Sequence, residues 1–221
     1  MPVNSVQTAR QGLSWGTLSA LVASDGSAAH RFAHRLAAGI APMRDLSDAV
    51  HLICMLHGRH PGVIEHAADH TPPGPAHDWL TAAGIAFSAE RAFLVRIVAA
   101  SGPMPSTPGQ AESESCVSAQ RHALDMLAQS DRTGCAMGAA LALILDWPAV
   151  RETLDAAANQ LGLPIPASSL PPEDTTTAIV ELLAAQNPVE RAMLFGAQQL
   201  LAQHRGLWDL LEARASARER H

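Results

Sequence analysis

Prolines and glycines cut this chain into short stretches, and between the cuts stand the residues that favour helix. Ala and Leu dominate, joined by Arg, Gln and Glu, all strong helix formers. No stretch alternates Val, Ile, Thr and aromatic residues as a half-buried strand would. Tyr is absent, and there are only four Phe and four Trp. The pattern predicts an all-α fold: a single-domain multi-helix bundle of about ten helical segments. The one domain spans residues 1–221, with residues 1–10 and 215–221 as frayed ends.

The punctuation gives the segments their ends. A first helix runs from about Ser14 to Ser24 and stops at Asp25-Gly26. Ser27 caps a second, which carries His30, Phe32, His34 and Leu36. A third spans Asp45 to His57 and ends at Gly58, a residue suited to a left-handed cap. It is apolar on most sides, as a central helix is. Pro61 opens a short helix reaching His70. After the rigid break Thr71-Pro72-Pro73-Gly74-Pro75 comes a short helix, His77 to Ala83, closed by Gly84. Another follows, capped by Ser88, with Glu90 in its first turn. Beyond the loop Ser101 to Gly109 lies a helix from Gln110 to Gln129. Asp131 then caps a helix dense in small residues, which Pro148 restarts or kinks before Leu161. The loop Leu163 to Pro172 leads to a helix over Glu173 to Gln186. Asn187, Pro188 and Glu190 stand where a helix start wants them, and the last helix runs to Arg214. Its Leu194, Ala197, Leu201, His204, Trp208 and Leu211 fall on one stripe.

Charge narrows the partners. The formal net charge is −6, and every fixed cation is Arg. Tracking a phosphate backbone needs a concentrated basic surface, so no nucleic-acid partner is expected; the Arg-rich end from Arg214 to Arg220 reads as a solvated helix end. The longest apolar run, Ala136 to Leu145, is too short for a bilayer, so no membrane partner is expected either. Cys54, Cys116 and Cys135 are odd in number and form no C-x-x-C, which fits a reducing compartment. Met1 to Gly12 lacks the basic start and apolar run of a signal peptide, and the chain reads as cytoplasmic.

Histidine is the unusual chemical feature. There are eleven, and His57, His60, His66, His70 and His77 crowd one region. His66 and His70 are an i,i+4 pair, as are Glu65 and Asp69. Two imidazoles so placed share a helix face and can bind one transition metal, which makes Glu65, His66 and His70 the metal candidates. The H-E-x-x-H of zinc proteases is absent. A ferritin-like site needs two Glu-x-x-His elements, whereas the chain offers one Asp-x-x-His, Asp48 to His51. His204 interrupts the apolar stripe of the last helix. It is either a core histidine with a satisfied ring or a ligand or proton-transfer group facing a cavity. Glu90 shares a face with Leu94 and Ile97. His204, Glu90 and His57 are therefore the ligand-binding candidates. Cys135 lies among small apolar residues and packs as one of them unless a histidine is near. No G-x-S-x-G, P-loop or G-x-G-x-x-G is present.

Two stretches carry a resemblance. Gly134-Cys135-Ala136-Met137-Gly138-Ala139-Ala140 runs on to Leu145-Asp146-Trp147, and Gly196-Ala197-Gln198-Gln199-Leu200-Leu201 runs on to Leu207-Trp208. They resemble an uncharacterised all-helical family of alphaproteobacteria, which implies a helical fold and no known activity. In size and helix count the chain is also similar to heme-oxygenase-like and TenA-like bundles, an architectural likeness that transfers no site residue. Two functions are carried forward. The first is a small-molecule- or metal-binding bundle protein, with enzymatic activity left open and the cofactor unknown apart from the transition metal already named. The second is a non-catalytic homodimer built on the C-terminal helix.

Overall fold

The computed structural model describes residues 14–184 and 187–220. Among these, nine α-helices and one 3-10 turn follow in order, without a strand. They are α1 (Trp15–Asp25), the turn Ser27–Ala29, α2 (Arg31–Ala37), α3 (Met43–His57), α4 (Val63–Asp69), α5 (Pro75–Ser101), α6 (Gln110–Ala128), α7 (Cys135–Gln160), α8 (Glu173–Ala184) and α9 (Asn187–Glu219). The fold is all-α, and one hydrophobic core draws buried side chains from all nine helices. No helix of the described residues is long and apolar enough to cross a membrane.

Helix α7 forms the middle of the bundle. From Cys135 to Ile144 every residue is buried, and the reason lies in its small side chains. A Cβ at Gly138 would stand 1.8 Å from the Met193 carbonyl oxygen, and one at Gly196 would stand 2.0 Å from that of Cys135. The α7 and α9 backbones thus touch at a crossing that admits hydrogen atoms only. These two glycines belong to the two stretches singled out in the sequence. Helix α3 is the second central element, with Leu46, Ala49, Val50, Leu52 and Ile53 fully buried.

Several local readings change. Helix α5 runs through Gly84 and Ser88 without a break. Gly84 has ordinary room beside Ile64, and the Ser88 hydroxyl donates to the Gly84 carbonyl instead of capping a new helix. Glu90 therefore sits in mid-helix, not in a first turn. Pro148 neither restarts nor kinks α7 into two elements; it is exposed, so its ring and missing N–H fall on the solvent side. Ser27 lies in the 3-10 turn, and the ring of His30 caps α2 by accepting from the Phe32 N–H. Gly134, at φ 97°, precedes α7 with no side-chain cap, so Asp131 does not serve as one. Gly58 ends α3 at φ −72°, outside the left-handed region.

The largest change is at the C-terminal end. Helix α9 continues to Glu219, and Ala215 is buried. The Arg214 guanidinium donates to both Asp48 oxygens, and Arg218 donates to Asp48, Asp45 and Thr107. Burial works against the Arg218 charge, yet Asp48 and Asp45 hold its pKa above the usual value. The segment expected to fray is docked by buried ion pairs. Residues 1–10 and 221 lie outside the described residues, as do the last two residues of the helix expected to end at Gln186. The α9 stripe of Ala197, Leu201, His204, Trp208 and Leu211 is buried within the chain. The face named for homodimerisation is thus already occupied.

Candidate functional site

Two histidines far apart in sequence meet in the core. His57 is the last residue of α3 and His204 lies midway along α9; their Nε2 atoms are 2.8 Å apart. His204 Nδ1 is 2.6 Å from Oδ2 of Asp146, on α7. The Ser27 N–H and O–H donate to the two oxygens of that carboxylate at 2.7 and 2.5 Å, and the Trp208 indole N–H donates to Ser27 Oγ at 2.8 Å. Asp146, His204, Ser27 and Trp208 are each 1% exposed, whereas His57 is 8% exposed. The result is a continuous hydrogen-bonded line from the centre of the bundle to a ring near its edge.

The geometry assigns most of the protons. Asp146 accepts from Ser27 twice, so His204 Nδ1 must be its third donor. His204 Nε2 then faces His57 Nε2, and one of the two carries the shared proton. Burial alone would raise the Asp146 pKa, but the bond and charge of His204 and the two bonds from Ser27 hold it below the ordinary carboxyl value. His57 shifts the opposite way from a paired histidine. Burial, then the charge at His204 and then that of Arg91, push its pKa well below the ordinary value. Its ring is packed edge-on against Trp147, with centroids 5.7 Å apart, and against Phe87 at 6.4 Å. Burial, first of all, holds the His57 ring in its neutral form.

His57 also lines a cavity of about 20 Å3, together with Arg59, Arg91 and Arg121. That volume admits roughly one water-sized atom. A larger cavity, about 620 Å3, lies between the Thr71 to Pro75 loop and the start of α7, and no member of the histidine line borders it.

Glu90 belongs to a neighbouring cluster. It is 2% exposed and accepts from the Trp147 indole N–H at 3.0 Å, from Arg151 at 2.7 and 2.9 Å, and from the Ser168 hydroxyl at 2.7 Å. Arg151 also donates to the Pro166 carbonyl and lies over the Phe93 ring. Trp147 thus touches both groups, its indole N–H on Glu90 and its ring at right angles to that of His57. Of the three ligand-binding candidates, His57 and His204 are in direct contact and Glu90 is one residue away. The metal candidates are arranged differently. Glu65 accepts from Arg91 and from the Gly62 N–H, His66 is half-buried, and His70 is exposed and borders the larger cavity. Among the described residues, no three His, Cys, Asp or Glu side chains gather as metal ligands would. Cys135 is buried in the α7–α9 crossing.

Asp146, Ser27 and Trp208 are the site residues that sequence reasoning did not select. One signal for Asp146 was on view: it is the single charge in the run from Cys135 to Trp147, and a carboxylate on a fully buried helix demands a buried donor. Nothing in the sequence identified Ser27 as that donor.

A family model described as "Family of unknown function (DUF6975)" matches residues 22–219. No curated protein and no solved structure matches the chain.

Proposed function

We propose that this chain, which belongs to the family of unknown function DUF6975, is a general acid–base enzyme acting on a small molecule. His57 is the group that meets the substrate, and His204 and Asp146 are the residues that position and back it. The observation carrying this reading is the unbroken line from Asp146 through His204 to His57, ending at a cavity. A buried charged pair is a poor way to gain stability, since apolar residues of equal volume do as well or better. A polar line that reaches a cavity has a use that packing does not.

In the resting state His204 donates through Nδ1 to Asp146 and accepts at Nε2 from the His57 Nε2–H. His57 Nδ1 then keeps its lone pair for a substrate proton, and the lowered pKa of His57 keeps the ring in this base form. When a proton arrives at Nδ1, the Nε2 proton crosses the 2.8 Å to His204. Positive charge then rests on His204 against the Asp146 carboxylate, and His57 stays neutral. The reverse transfer delivers a proton to product. Such catalysis contributes about 10²–10⁴-fold in rate.

Histidine 15N NMR tests the proton assignment: His57 is expected to stay neutral well below pH 6.5, with a proton fixed on His204 Nδ1. A panel of small esters, amides and phosphate esters tests activity, with a loss of about 10²–10⁴-fold expected in His57→Gln. A His57 ring that titrates like a free imidazole would overturn the reading. So would turnover equal in wild type and His57→Gln.

A further inference from the structure

Four of the side chains around the small cavity carry ionisable groups besides His57. Arg59 comes from the turn after α3, Arg91 from α5, and Arg121 and Asp125 from α6. Three arginines among the residues lining one cavity is a marked concentration in a chain with net charge −6. Their existing partners account for them unequally. Arg91 is satisfied, because Glu65 and Ser88 accept from it. Arg121 is held less firmly. Its side chain is 27% exposed and its carboxylate partner, Asp125, stands 4.0 Å from Nε, which is shielded from water without a hydrogen-bond acceptor. An N–H shielded in this way costs on the order of 1–3 kcal/mol, so this edge of the guanidinium favours an acceptor brought in from outside the chain.

Space and charge together say what that acceptor is. A volume of about 20 Å3 takes a single oxygen-sized atom, not an apolar ring or chain. Guanidinium groups bind planar or tetrahedral oxyanions through two N–H bonds at once. Arg59 lines the cavity and is exposed, so the body of a ligand held there would extend toward solvent. We infer that the substrate of the His57 site is a small oxyanion, a carboxylate or phosphate compound, whose charged oxygens are received by Arg121 and Arg59 beside the His57 ring. This inference rests on the reading of His57 as the base and adds the class of molecule it serves.

The experiment titrates the protein with inorganic phosphate, with acetate and with acetamide, while His57 and His204 are followed by histidine 15N NMR. Phosphate or acetate is expected to shift the His57 signals saturably, and whichever shifts them names the oxyanion. Neutral acetamide should leave them unmoved. Arg121→Gln lies on a half-exposed position of α6, and its folding is checked by circular dichroism. It is expected to weaken the oxyanion at least tenfold, and Arg59→Gln less. No saturable shift with either oxyanion would overturn the inference, as would equal affinity in wild type and Arg121→Gln, or an equal response to acetamide. The ligand-free spectrum separates this from the parent reading. If His57 and His204 carry the proposed protons yet no oxyanion binds, the substrate class alone fails. If His57 titrates as a free imidazole, the base itself fails.

Discussion

Replacing one glycine by alanine should break this protein at one position and strengthen it at another. At Gly138 the added Cβ would lie 1.8 Å from the Met193 carbonyl oxygen and 2.5 Å from its carbonyl carbon and Cα. All three are backbone atoms, so no side-chain rotation relieves the clash. Ordinary contact begins near 3.4 Å, and α7 and α9 must part by roughly the 1.6 Å difference between 3.4 and 1.8 Å. A gap of half an ångström to one ångström already forfeits about a quarter to a half of a contact's dispersion energy. The facing residues Ala139, Ala142, Met193, Ala197 and Leu200 are fully buried, so the loss falls on the best-packed part of the core. Overpacking of this kind costs about 1–3 kcal/mol where side chains can give; here only backbone can move, and about 3–5 kcal/mol is expected. The gain in helix propensity, about 1 kcal/mol, offsets little of it. Gly84→Ala is the control. Its Cβ would meet Ile64 and Glu65 at 3.7 and 3.8 Å, so the propensity gain of roughly 0.5–1 kcal/mol should stand alone. Urea unfolding followed by far-UV circular dichroism measures both, with an unchanged slope showing that only stability moved. Gly138→Ala within about 1 kcal/mol of wild type, or Gly84→Ala less stable than wild type, would refute the reasoning. A Gly138→Ala protein that still folds should also show a lengthened His204–Asp146 bond, because α7 carries one partner and α9 the other.

Three further outcomes follow from the buried charges. Asp146→Asn keeps the shape but loses charge-assisted bonds from His204 and Ser27, and should lower stability by about 2–3 kcal/mol in the same urea assay. Glu90→Gln leaves Arg151 with Asp155 as its remaining carboxylate partner, 2.6 Å from Nε, and should cost about 1.5–3 kcal/mol, while Glu90→Gln combined with Arg151→Met should recover most of that; a double-mutant cycle showing simple additivity would count against it. Stability should also fall on mild acidification. The folded pKa of His57 lies below its unfolded value of about 6.5, so its contribution is fully present above pH 6.5. It is lost as the pH drops toward the folded value, at up to about 1.4 kcal/mol per pH unit. His57→Gln should flatten that slope. Asp146 adds a second loss only below the ordinary carboxyl pKa of about 3.9.

The fold was legible because its signals are local. Helix formers between Pro and Gly cuts placed most segments, and the small residues around Gly138 marked the helix that lies deepest in the bundle. The misreadings were also local signals, overruled by packing. Gly84 and Ser88 look like an end and a start, but α5 gains more by continuing along α4. The Arg-rich C-terminal end looks solvated until Asp45 and Asp48 are known to stand opposite it. The site was half legible. His204 drew notice because it broke an apolar stripe, and His57 because it stood in a histidine-rich region. That they would meet lay beyond the sequence, since spacing within a helix says which residues share its face but not which face of another helix lies across from it. The uniform Ala and Leu composition of the faces made several pairings equally plausible on pattern alone.

The line from Ser27 through Asp146 and His204 to His57 bears on how the chain folds as well as on what it does. Its bonds close sequence separations of 119, 58 and 147 residues, so none of them forms within a single hairpin of helices. Each requires a long segment to give up its freedom before the contact rewards it. The individual helices form quickly, but the histidine line exists only after the turn before α2, the end of α3, the middle of α7 and α9 have all docked. Refolding from urea should therefore recover ellipticity first and the His57–His204 coupling last. The chemistry of the site becomes a clock for the completion of the fold, and a chain arrested one helix short would look nearly native by circular dichroism while holding no relay at all.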